Sequence, residues 1–86
     1  MTPSMHTQLN HIVRITRSAQ AEGYHVLSTG ERLTVALVLN RADWLTEMDY
    51  TIAEAIDRVG EDWLSLIPIA ARLIRDENDG YSTELI

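Results

Sequence analysis

The chain has 86 residues and contains no cysteine, no phenylalanine and no lysine. Without cysteine there is no disulfide, no thiolate metal ligand and no thiol nucleophile. Small domains of oxidising compartments often lean on disulfides, so the expectation is a reducing cytoplasm. The opening MTPSMHTQLN lacks a basic stretch followed by an apolar one, which is not the pattern of a signal peptide. The longest apolar run, Val35 to Leu39, is five residues. A membrane helix needs about 20, so no membrane association is expected.

Chemistry-bearing patterns are scarce as well. There is no Gly-x-Ser-x-Gly elbow and no glycine-rich phosphate loop. Asp76-Glu77-Asn78-Asp79-Gly80 lacks the alternating ligands and distant glutamate of a calcium loop. Three histidines remain. His6 and His11 are five residues apart, about 140° around a helix, where they cannot share a metal. They and His25 read as unrelated surface residues. The expectation is a non-enzymatic protein with no cofactor and no metal.

What is present is helical pattern and acid. A 45% apolar composition suits one globular domain. The net charge of −6 is uneven, about +2 over residues 1–42 and −8 over residues 43–86. Met5, Leu9, Ile12 and Ala19 repeat at helical spacing, with Ser4 placed to cap and Gly23 to stop that helix. Ser28-Thr29-Gly30-Glu31 is a capping box that opens a helix apolar almost all round, Arg32 to Asn40. Asp43 can cap a short helix through Met48. Thr51-Ile52-Ala53-Glu54 is a second capping box, with Ile52, Ala55, Ile56 and Val59 as the inward face and Gly60 as the stop. Trp63, Leu66, Ile67, Ala70, Leu73 and Ile74 form a last apolar face, broken near Ser65–Ile67 because Pro68 cannot sit inside a helix.

These segments predict an all-α, compact bundle of four to five short helices over residues 1–75, closing without a catalytic cleft. An acidic, disordered tail is expected over residues 76–86, where Tyr81, Leu85 and Ile86 stand out as apolar. The rival is an α+β fold with a Tyr24–Val38 hairpin, since Val, Leu and Thr are dense there. A lone hairpin is marginal, which favours helix. The stretches LSTGERLTVALVLNRADWL and DYTIAEAIDRVG resemble segments of small bacterial proteins, a resemblance that implies no activity, cofactor or site residue.

Function is therefore expected in binding. The leading expectation is a protein-interaction or regulatory module that binds another protein or a second copy as a homodimer. Its contact surface is placed on the acidic half, at Trp44, Tyr50, Trp63, Asp57, Glu61 and Asp62. The alternative is nucleic-acid association through Arg14, Arg17 and Arg41, although so few cations supply little phosphate binding at physiological salt. A helix-turn-helix over residues 51–74 is disfavoured because its second helix would start with Glu61 and Asp62. A third reading has the acidic surface imitating nucleic acid on a basic protein, which requires its carboxylates to line one face.

Overall fold

The computed structural model describes residues 2–79. Six helical segments follow one another: α1 (Pro3–Glu22), α2 (Thr29–Val38), α3 (Ala42–Glu47), α4 (Ile52–Val59), α5 (Glu61–Leu64) and α6 (Ile67–Asp79). Since α5 is a single turn, five proper helices build the bundle. No strand occurs among the described residues, and Tyr24–Ser28 forms a turn rather than half of a hairpin. No helix there is long and apolar enough to cross a membrane.

The ends of the helices explain their limits. Both capping boxes form as the sequence predicts. Ser28 Oγ accepts from the Glu31 amide while Glu31 Oε1 accepts from the Ser28 amide, and Thr51 and Glu54 do the same. Two other caps differ from expectation. Helix α1 starts earlier, with Thr2 accepting from the Met5 amide and Pro3 in the first turn. Proline suits that position because its missing N–H has no partner there anyway. Asp43 does not cap α3, whose N-cap is Arg41 without a side-chain bond. Its carboxylate is drawn instead to the Arg41 guanidinium, at 2.7 and 2.9 Å.

Helices α2 and α3 end alike. Past α2, the Arg41 amide donates to Ala36 and the Asn40 amide to Leu37. Past α3, the Tyr50 amide donates to Leu45 and the Asp49 amide to Thr46. Each is a Schellman turn, which needs one left-handed residue. Asn40 (φ 55°) and Asp49 (φ 61°) supply it. Gly60 (φ 87°) ends α4 and opens α5. Pro68 stands second in α6, after a break at Ser65–Leu66, within the Ser65–Ile67 stretch where one was expected.

Two apolar clusters hold the bundle. One gathers Ile15, Ala19, Tyr24, Leu33, Val35, Ala36, Trp44, Leu45 and Ala55. The other gathers Leu9, Ile12, Val13, Val38, Leu66, Ala70 and Ile74 between α1, α2 and α6. Leu39 and Trp63 pack against both. Helix α2 is buried on several sides, as its all-round apolar sequence predicts. Its Thr34 satisfies its hydroxyl by donating to the Gly30 carbonyl, as Thr16 of α1 does to Ile12.

Residues 76–79, expected in the tail, continue α6, and the Glu77 carboxylate is bound by Arg17 through Nε and Nη2 of its guanidinium. Residues 80–86, with Tyr81, Leu85 and Ile86, lie outside the described residues.

Candidate interaction site

The sequence pattern turns Ile52 and Ile56 of α4 inward, and the structure corrects this. Ile52 is 59% exposed and Ile56 40%, while Ala55 is the helix's only fully buried side chain. Helix α4 packs on α2, and the side chain enclosed there is Ala55, with half-buried Val59 beside it. Ile52 and Ile56 lie one turn apart, about 40° from each other, and make a stripe beside that contact line. Periodicity reveals that a helix has an apolar face but not which part of a wide face touches the core.

The stripe has a shallow cleft at one end. Ile52 lines it with Ala36, Leu37, Asn40, Arg41, Ala42 and Leu45, around about 120 Å³. The Schellman turn at Asn40–Arg41 shapes the far wall. Charges around the stripe are mostly acidic. Asp49 stands just before α4 and Asp57 just after Ile56, both exposed and without a side-chain hydrogen bond among the described residues. Arg58 lines a different groove, and the cation in the wall of the cleft, Arg41, is paired with Asp43.

The residues singled out in the sequence are distributed as follows. Trp44 is buried at 8% exposure, tilted against Tyr24 at 4.9 Å between ring centroids. It belongs to the core and offers no free surface. The Arg41 guanidinium covers its ring at 4.3 Å. Tyr50 and Trp63 are half-buried against the first cluster. Asp57, Glu61 and Asp62 are exposed. Glu61 and Asp62 line an open hollow with Gln8, Val59, Gly60 and Trp63.

Two of the three arginines offered for nucleic acid are already matched by carboxylates. Arg17 holds Glu77 and Arg41 holds Asp43, and each guanidinium keeps its carboxyl below the usual range. Arg14 has no ion pair among the described residues. The acids of the second half are spread over α3, α4, α5 and α6. Glu47 is also committed, accepting a 2.6 Å bond from the Tyr24 hydroxyl.

One polar groove was not legible in the sequence. His11 is half-buried rather than a free surface histidine, and its Nε2–H donates to Glu31 Oε2 at 2.8 Å. Trp63 meets the His11 ring edge-on at 5.7 Å. Ser28, Gly30, Thr34, Arg58 and Val59 complete a groove of about 370 Å³. The Ser28 amide holds the Glu31 carboxyl below its ordinary range, burial opposes it, and the His11 contact adds to the lowering. Both carboxylate oxygens are engaged, one by the α2 cap and one by α1. The arrangement fastens two helices together. A contact joining residues 20 positions apart leaves no local signal in a sequence.

Comparison with protein-family models, with curated proteins and with solved structures finds no significant match to this chain.

Proposed function

We infer that this protein is a non-enzymatic interaction module that binds another protein through the exposed stripe of α4. The observation that carries this reading is the pairing of Ile52 and Ile56, exposed and one turn apart, on a helix whose one fully buried side chain is Ala55. Single exposed apolar residues are ordinary on any surface. Two aligned on one helix beside a cleft are the anchors by which helical surfaces are recognised. The occupied state of Glu31 supports the non-enzymatic part, because the one histidine–carboxylate pair of the groove is spent on structure.

A photo-crosslinking residue at position 56, introduced into the chain in its native cell, tests the reading. It should give a discrete crosslinked product, and the same residue at exposed Thr7 on α1 should give none. No product from position 52 or 56 in soluble, folded chain overturns it.

A further inference from the structure

We propose that the occupant of the α4 stripe is a basic amphipathic helix, one that lays an aliphatic side chain into the cleft beside Ile52 and sets Lys or Arg against Asp49 and Asp57. The proposal rests on the reading of α4 as the contact surface and adds the chemistry of the partner.

Charge decides between possible occupants. Residues 43–62 carry Asp43, Glu47, Asp49, Glu54, Asp57, Glu61 and Asp62 against Arg58 alone. Asp43 is neutralised by Arg41, and Glu54 is turned to its own N-cap. None of the four others outside the Tyr24 contact has a side-chain hydrogen bond among the described residues; Asp49 and Asp57 adjoin the stripe in sequence, while Glu61 and Asp62 line the hollow of Val59 and Trp63. Arg58 faces the groove of His11, Glu31 and Trp63, on the other side of α4. A second copy docking by the same face would bring Asp49 and Asp57 towards their own duplicates. Like charges placed across an interface oppose association, whereas opposite charges steer it and fix its register.

Shape points the same way. A standard interface buries about 800 Å² on each partner, more than two isoleucines can offer between two rigid bundles. A helix is narrow and can follow the stripe and enter the cleft. Its apolar side chains at i and i+4 repeat at about the spacing of Ile52 and Ile56. The cleft of about 120 Å³ has room for one apolar anchor.

The probes are short synthetic helices with the same leucine stripe, whose remaining positions are Lys, Glu or uncharged. Methyl NMR of the isoleucines follows where each binds. The Lys helix should shift Ile52 and Ile56 selectively and bind about tenfold more tightly than the Glu helix at low salt. Asp57→Asn with Asp49→Asn should remove most of that preference, and Ile56→Ser, a change at an exposed site, should weaken the Lys helix. Equal binding of all three helices at Ile52 and Ile56 overturns the partner's charge but leaves α4 as the contact surface. Concentration-dependent shifts of these methyls without any peptide assign the stripe to a second copy and overturn the proposal in the same way. Binding of the Lys helix that survives Ile56→Ser, or that shifts other methyls, overturns it as unspecific attraction to acid. Silence of Ile52 and Ile56 towards every helix overturns the proposal, and silence in the crosslinking experiment as well removes the reading beneath it.

Discussion

The exposure of α4 can be weighed by comparing two truncations that look equivalent in the sequence. Ile56→Ala and Leu66→Ala each remove a large aliphatic side chain from what the sequence pattern reads as an apolar helix face, although Leu66 lies in the break between α5 and α6. Leu66 is fully buried, whereas Ile56 is 40% and Ile52 59% exposed. Burying a whole side chain of this kind contributes roughly 1.5–3 kcal/mol. Scaling by the covered fraction leaves about 1 kcal/mol at Ile52 and somewhat more at Ile56, and the better helix propensity of alanine returns about 0.4 kcal/mol. The net cost is therefore about 0.5–1 kcal/mol for each. Leu66→Ala adds a cavity, and such changes cost about 2.7–5 kcal/mol. A domain of this size is stable by about 4–13 kcal/mol, so the second change takes a large share and the first does not. Urea denaturation followed by fluorescence of Trp44 and Trp63 measures both. With a slope of roughly 1–3 kcal/mol per molar urea, the two midpoints should differ by about 1 M or more. Equal midpoint shifts would refute the reasoning, because Ile56 would then be buried in solution. A shift that grows with protein concentration would identify a second copy as what buries it.

Other perturbations test other parts of the fold. Asp49→Gly should stabilise by about 1 kcal/mol in the same assay, since glycine takes the left-handed conformation without strain and a negative charge leaves the C-terminal end of α3; destabilisation would mean the Asp49 side chain makes a contact that matters. Ser28→Ala should cost about 1 kcal/mol by opening the α2 capping box, and a neutral result would show the cap to be replaced by water. The Glu31 carboxyl lies below its ordinary value of 4.5 in the folded chain, held there first by the Ser28 amide. Its contribution is thus present above about pH 4.5 and lost as pH falls through the folded value, so the stability difference between wild type and Glu31→Gln should shrink on acidification. A difference that holds constant into strong acid would contradict the assigned bonds.

Most of the helices were legible because their ends are written in local chemistry. Ser28 with Glu31 and Thr51 with Glu54 announce two starts, Gly23 and Gly60 two stops, and Pro68 a break. Where two groups competed for a partner, the local signal misled. Asp43 looks like an N-cap until a guanidinium stands two residues before it, since the charge-assisted pair is the stronger bond. Ser4 looks like the α1 cap, but Thr2 followed by Pro3 forms a better one. The candidate site was less legible. Trp44 and Trp63 are alike in sequence, yet only packing decides that one is enclosed and the other stands at the seam of two clusters. The bare stripe of α4 depends on which part of its face packs on α2, and a wide apolar face does not encode that.

These features belong together. Helix α2 is apolar all round and must be covered by its neighbours. Helices α1 and α6, with Leu66 just before α6, cover it in the cluster of Leu9, Ile12, Val13, Leu66, Ala70 and Ile74. Helix α4 covers it with Ala55, leaving the larger isoleucines to one side. The ends of α4 carry the Thr51–Glu54 box, the Gly60 stop and the Schellman turn at Asp49. Those bonds set where α4 begins and ends, and Ala55 with half-buried Val59 packs it on the core. Ile52 and Ile56 carry only part of that packing, so they can be committed to another molecule, and the stability cost of replacing them measures how far.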